Sequence, residues 1–159
     1  MKLRTDPKTL YGLVATGEAI TWALLISGLL IRATGTAPDY LVTVVGGLHG
    51  FMFLSYAVMA ALVGVNQRWH PGRVIGAVVL AIVPFATIPF DRALNRRELL
   101  EGEWRTEVSD HPADRSWFDS LFRWFIARPV VLVLVLLVGV VAVFSFLLWL
   151  GPPDEWFSE

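Results

Sequence analysis

The chain has 159 residues, 55% of them hydrophobic and 17% charged, with a formal net charge of −1 and no cysteine. Four apolar runs, Leu10–Ile31, Leu41–Val65, Val74–Phe90 and Pro129–Leu150, hold 86 residues and a single charged side chain, Glu18. Runs of this length suit the roughly 30 Å hydrocarbon core of a bilayer. The composition therefore excludes a water-soluble domain, a disordered chain, a nucleic-acid binder and a β-barrel of alternating short strands, and the lack of cysteine removes disulfides, thiolate nucleophiles and iron–sulfur clusters.

The predicted fold is all-α: a polytopic membrane protein with four transmembrane helices, a three-helix unit plus one. A bilayer is the expected surrounding and a bacterial cell membrane the expected location. The first span, Leu10–Ile31, is about 33 Å long at 1.5 Å per residue and follows a basic N-terminal tail. Its length separates it from a cleaved leader. Gly35 and Pro38 break the chain before the second span, Leu41–Val65, and Pro71-Gly72 before the third. Val74–Phe90 covers only about 25 Å and contains Pro84 and Pro89, so its crossing needs a thinner bilayer or neighbours that satisfy freed carbonyls. The fourth span, Pro129–Leu150, opens on Pro129 and closes on Gly151-Pro152-Pro153. Three parts follow: residues 6–100 as the three-helix domain, 101–128 as a polar loop with an aromatic segment, and 129–159 as the last helix with an acidic tail.

Within that polar loop, Trp117, Phe118, Leu121, Phe122, Trp124 and Phe125 recur at helical spacing. Ser116 stands where a cap is needed. The spacing predicts a short helix in the headgroup region before Arg128-Pro129 turns the chain inward. For topology, four crossings place Arg32 and the seven arginines of 91–128 on one side. The tails and Arg68 and Arg73 fall on the other, 8 against 5. The cytoplasmic side carries the excess, which puts the long loop inside and both termini outside. Failure of the third run to cross would change that parity.

Three positions carry the candidate chemistry. Glu18 lies about 12 Å inside its run, where a charge is costly and faces the bundle interior. Thr21 and Trp22 extend its polar stripe. It serves either as a proton relay or ion site, or as a structural hydrogen bond. His49, in Gly46-Gly-Leu-His-Gly50, is the one ionisable group of the second span, with Phe53 and Tyr56 on its face. Gly46 and Gly50 have the spacing that lets helices approach closely. His49 is either an interhelical hydrogen bond beside that contact or a haem ligand or proton carrier, although a single intramembrane histidine is a weak haem signal. By axial counting His49 is level with Trp22, and Glu18 with Ser55 and Tyr56, an offset of about 7 Å. Pro84 cannot donate to Leu80, so the Leu80 carbonyl needs another partner. Glu18 is nearly level with it, and Thr87 is placed to bond its own backbone. No histidine spacing resembles a zinc site, and neither a cofactor nor a metal is expected.

These residues, read in order as Gly17-Glu-Ala-Ile-Thr-Trp22, Gly46-Gly-Leu-His-Gly50 with Phe53 and Tyr56, Trp69, and Val83-Pro-Phe-Ala-Thr-Ile-Pro-Phe-Asp-Arg92, carry a resemblance. The chain resembles the small bacterial integral membrane domain known as domain of unknown function 3817, common in actinobacteria. The resemblance covers roughly Asp6 to Leu100. Glu18, His49, Gly50 and Pro84 fall on the family's pattern. It implies a three-helix membrane unit without an established activity, to which the fourth span and its aromatic segment are an extension. The expected function is non-enzymatic: an accessory or interaction subunit docking onto itself or other membrane subunits through the Gly46/Gly50 face or the fourth helix. The alternatives are a small proton- or solute-coupled transporter using Glu18, and a haem- or quinone-binding subunit.

Overall fold

The computed structural model describes residues 5–38 and 40–150, with the side chain of Ala113 left aside. The acidic tail after Leu150, and Lys2 and Arg4, lie outside the described residues. The described chain is helical without a strand: α1 (Pro7–Ala33), α2 (Tyr40–Asn66), α3 (Pro71–Leu80), α4 (Thr87–Arg96), a 3-10 turn (Pro112–Arg115), α5 (Trp117–Ile126) and α6 (Pro129–Leu150). The expected all-helical membrane architecture is the one observed. Three helices, α1, α2 and α6, are long and apolar enough to cross a bilayer, and α3 is a fourth, shorter apolar helix.

Helix α1 begins three residues before its apolar run because Asp6 caps it: the Asp6 carboxylate accepts from Thr9 N at 2.7 Å, and Pro7 occupies the first turn. Helices α1 and α2 form an antiparallel pair. Close approach comes from Gly17 and Gly28, where an added Cβ would stand 2.6 Å from Met52 Cε and 2.9 Å from Val45 Cγ2. Helix α2 ends in a left-handed residue: Arg68 has φ 52, Trp69 N donates to Gly64 O at 2.8 Å, and Arg68 N donates to Val65 O at 3.3 Å. This is a Schellman ending built without the usual glycine.

The third apolar run differs in form from the single helix expected over Val74–Phe90. It is two ten-residue helices separated by turns at residues 81–86. The physical reason is local. Pro84 has no N–H and disfavours helical geometry at Val83, and Phe85 adopts φ 63. Pro89 falls in the first turn of α4, where its missing donor costs nothing.

The contacts also fix the direction of travel. Helix α3 leaves the end of α2 and reaches Trp22, midway along α1, at Ala81. Helix α4 starts at Thr87 beside Ala15 and Glu18. Its continuation returns to where α3 began: Trp69 Nε1 donates to Leu99 O at 2.9 Å, and Gln67 Nε2 to Leu100 O at 3.4 Å. The pair is therefore a re-entrant hairpin, entering and leaving at the same end. Thr5, the end of α2, residues 97–128 and the start of α6 all gather there, as the bonds Trp104 Nε1 to Thr5 O (2.8 Å) and Asn66 Nδ2 to Glu103 O (3.1 Å) record.

This alters the topology expected from four crossings. The N-terminal end and the long polar segment share one side. Twelve of the thirteen Lys and Arg of the sequence then belong to that side, counting Lys2 and Arg4 by their place in the chain, and only Arg32 to the other. That asymmetry places the polar end in the cytoplasm. The N-terminal end of α1 and the long polar segment thus lie at the same end of the helix cluster, where a straight crossing at Val74–Phe90 would have separated them.

Residues 97–128 are not a loose loop. Leu100 and Ile126 are fully buried, and Trp104 and Phe122 nearly so, in one cluster with Leu94 of α4 and Tyr11, Tyr56, Val63 and Trp69. Much of the core thus lies at the polar end. Helix α5 is capped by Ser116, whose hydroxyl accepts from Asp119 N at 3.1 Å. Asp119, Phe122, Arg123 and Ile126 face inward. Trp117 (77% exposed), Phe118, Leu121 and Trp124 face outward, and Arg128 stacks over Trp124 at 4.3 Å. An apolar outer face at the mouth of the membrane is the geometry of an interfacial helix.

Candidate functional site: an interlocked polar interior

The polar residues of α1 meet the break between α3 and α4. Glu18 is fully buried. Its Oε2 accepts from Thr87 Oγ1 at 2.7 Å, while Oε1 has no hydrogen-bond partner among the described residues. Thr87 Oγ1 also lies 3.4 Å from Ala15 O. Thr87 therefore ties the hairpin to α1 instead of bonding back to its own helix. One turn along α1, Trp22 Nε1 donates to Ala81 O at 3.1 Å. The Leu80 carbonyl, expected to receive Glu18, is taken by Val83 N at 3.0 Å in the turn that Pro84 forces. The freed carbonyl that needs a side chain lies one residue later, and Trp22 supplies the donor.

His49, on α2, completes the layer. Its ring packs against Trp22 with centroids 4.3 Å apart, at the level that axial counting gave. Its Nδ1 is 3.1 Å from Thr21 Oγ1, and that hydroxyl donates to Glu18 O at 2.8 Å. A hydroxyl has one proton. With it committed to the carbonyl, His49 Nδ1 is the donor, so a neutral ring is in the Nδ1–H form. Glu18 and His49 do not pair directly. They are joined through Thr21 and the α1 backbone.

Tyr56 falls outside this layer. Its hydroxyl bonds Tyr11 at 2.6 Å, with ring centroids 5.6 Å apart, and Tyr11 stands edge-on to Trp69 at 5.9 Å. Gly46 and Gly50 are used within the chain. A Cβ on Gly46 would meet Leu25 of α1 at 3.9 Å, and one on Gly50 would meet Phe144 of α6 at 3.2 Å. The Gly50 side of this motif is where α6 seats, so it is not open for a partner.

A second polar cluster sits at the cytoplasmic end. Asp114 is its hub. Oδ1 is 2.6 Å from Arg68 Nη2, 3.0 Å from Arg105 Nη1 and 3.4 Å from Arg123 Nη1. Oδ2 accepts from Ser109 N at 2.7 Å and Ser109 Oγ at 2.6 Å. The Ser109 bonds, together with Arg68 and Arg105, hold this carboxyl well below the usual carboxylate range. Arg105 also closes α2: Nε donates to Asn66 O and Nη2 to Val65 O, both at 2.8 Å. A guanidinium on the last carbonyls satisfies orphan acceptors and opposes the helix dipole. The Asn66 side chain clasps the same segment, accepting from Arg105 N at 2.9 Å.

Sequence reasoning missed Tyr11, Asn66, Arg68, Arg105, Asp114 and Arg123. The one local signal was Asn66 at the end of an apolar run, where a polar amide can grip a returning loop. Among the described residues, no group of three or more His, Cys, Asp or Glu side chains converges as a metal site.

Three spans, a re-entrant helical hairpin and an interior polar layer define a multi-pass α-helical membrane protein. Within that class, the chain belongs to the family described as Domain of unknown function (DUF3817), whose model matches residues 8–96. That stretch covers α1 to α4 and ends where the cytoplasmic cap begins. The chain is also 35% identical over 79 residues to a Streptomyces coelicolor protein named "Putative membrane protein SCO5905". The match takes in 49% of this chain and 9% of that protein, so the shared unit is a small part of the relative. No solved structure matches.

Proposed function

We propose that the chain is a non-enzymatic membrane subunit that docks onto a larger membrane assembly, or onto copies of itself, through the outer face of α6. The observation that carries this reading is the interlocking of the interior polar side chains. Glu18 Oε2, Thr21, Trp22, His49 Nδ1 and Thr87 are engaged with one another or with backbone, as a structural lock requires. Helix α6, by contrast, buries only Pro129, Leu132 and Val140 of its 22 residues. The match to a small part of a much longer Streptomyces protein suits a unit that works beside others. Purification of the tagged full chain in mild detergent, followed by mass spectrometry and light scattering, tests it. A stoichiometric membrane partner or a defined oligomer supports the reading; an isolated monomer overturns it.

A second reading has one observation in its favour. Glu18 Oε1 is buried without a partner beside a broken helix near mid-membrane, and broken helices near the midplane mark transport sites. In that reading Glu18 is the titrating group of a proton- or solute-coupled carrier. Proteoliposome proton flux, compared between wild type and Glu18→Gln, decides it: absent or unchanged flux removes the carrier.

A further inference from the structure

Helix α4 leaves the membrane at the cytoplasmic end carrying three arginines that form no salt bridge among the described residues, although the Asp91 carboxyl acts on the neighbouring Arg92. Arg92, Arg96 and Arg97, with Pro89 and Ala93, line a shallow groove of about 410 Å³. All five residues are exposed. The ion pairs at this end run through Lys8, Arg68, Arg105 and Arg123, and none of them involves the groove arginines. No carboxylate lines the groove. Asp91 is half-buried and accepts from Asn95 Nδ2 at 3.2 Å, and Glu98 follows beyond the end of the helix.

Depth decides what this groove meets. Thr87, at the start of α4, is bonded to Glu18, about 12 Å above the cytoplasmic limit of the α1 apolar run. Arg92 lies about 7 Å and Arg96 about 13 Å from Thr87 along α4. Arg96 and Arg97 therefore stand at the inner edge of the headgroup region, and all three arginines reach the lipid phosphates by extending their side chains outward. The guanidinium fork matches two phosphate oxygens at once. Pro89, one turn deeper, offers an apolar wall to an acyl chain.

We propose that the Arg92–Arg96–Arg97 groove of α4 is a binding site for the phosphate of an anionic phospholipid of the surrounding membrane. The occupant follows from charge complementarity and position: three guanidiniums without a salt bridge among the described residues, set at headgroup depth beside apolar surface.

The test uses the full chain in detergent micelles titrated with dioleoylphosphatidylglycerol or dioleoylphosphatidylcholine, read by native mass spectrometry of lipid adducts. The wild type is expected to retain phosphatidylglycerol selectively. The triple variant R92Q/R96Q/R97Q is expected to lose about ten- to a hundredfold in affinity for it, with phosphatidylcholine unchanged. R73Q/R115Q, which removes two arginines outside the groove, is expected to stay within about twofold. The lysine triple R92K/R96K/R97K keeps the charge, so an intermediate loss supports the guanidinium fork and also covers the case in which the glutamine triple fails to fold. Equal loss in the two glutamine variants would show a diffuse basic surface and overturn the site. So would retained selectivity in R92Q/R96Q/R97Q, or a protein rather than lipid on this face in the co-purified material.

Discussion

Replacing Thr87 by Val tests the lock between the hairpin and α1. The substitution keeps the branched shape but deletes the hydroxyl that donates to Glu18 Oε2 at 2.7 Å. Glu18 Oε1 already lacks a partner, so the variant leaves a fully buried carboxyl still more poorly solvated. Hydrogen bonds in soluble proteins contribute about 0.5–1.5 kcal/mol, and about 1.5–3 kcal/mol where one partner is charged. Interhelical bonds measured in membranes average about 0.6 and reach about 1.7 kcal/mol. Burial and the short distance put this bond at the upper end, so T87V is expected to destabilise by about 1–2 kcal/mol. The second arm is Glu18→Met, which removes the carboxyl with little change in length and is expected to be near neutral, because an unsatisfied buried group goes with it. In that background T87V is expected to cost about 0.6 kcal/mol or less, since the hydroxyl retains only the long bond to Ala15 O at 3.4 Å. Equilibrium unfolding in mixed micelles, followed by far-UV circular dichroism and tryptophan fluorescence, gives all four values. If T87V costs the same with and without Glu18, the hydroxyl does not act through the carboxyl and the lock as described is wrong.

The glycines give a graded test of packing: Gly64→Ala sets its methyl 2.5 Å from Val74 Cγ2, a stiff branched side chain, and is expected to cost about 1–3 kcal/mol. Gly17→Ala meets only the flexible end of Met52 and is expected to cost under about 1 kcal/mol, so a larger drop in thermal midpoint for Gly17→Ala would contradict this packing. For the cap, the folded Asp114 carboxyl titrates below its unfolded value of about 3.9. Its stabilisation is then complete above about pH 4 and is lost as pH falls from there toward the folded value. Tryptophan fluorescence of the cap should stay unchanged down to about pH 4 and loosen below it, and Asp114→Asn should flatten that acid limb; an unaltered limb would remove Asp114 as its source. Because the chain has no cysteine, single cysteines report topology cleanly: Thr36→Cys is expected to react with a membrane-impermeant maleimide on intact cells, and Glu107→Cys only after permeabilisation. The reverse pattern would invert the orientation.

What could be read from the sequence follows from the range of the interactions. Spans α1, α2 and α6 were legible because apolar continuity is a local property measured against a fixed bilayer thickness. The level of His49 with Trp22 was legible because helical rise is constant. The partner of the broken helix was not, since counting from Pro84 identifies a lost donor but not how the turn closes. Val83 N reached the Leu80 carbonyl first and moved the need to Ala81. The cap was invisible for another reason. Arg68, Arg105, Asp114 and Arg123 are separated by up to 55 residues and have no periodicity, and in a membrane protein such charges read as a solvated loop until the chain path is known. The same lack of path misplaced the N-terminus. The 8 to 5 split assumed a crossing at Val74–Phe90, and a return of α4 to its starting side turns it into 12 to 1.

The break and the polar stripe of α1 account for each other. A turn at membrane depth leaves carbonyls that lipid cannot satisfy, so such a turn persists only where protein supplies donors. Trp22 does this for Ala81. A carboxyl at that depth needs a donor in return, and α4 offers Thr87 only because the chain has turned. Had residues 74–90 formed one straight crossing, Thr87 would lie beyond Ala81 toward the far side, several residues from Glu18 along the axis. Glu18 would then have lost its hydroxyl donor, and Trp22 the carbonyl that takes its indole proton. The positions of Glu18, Trp22, Pro84 and Thr87 are thus one requirement expressed four times, and Oε1 of Glu18 is the part of it that the chain leaves unmet.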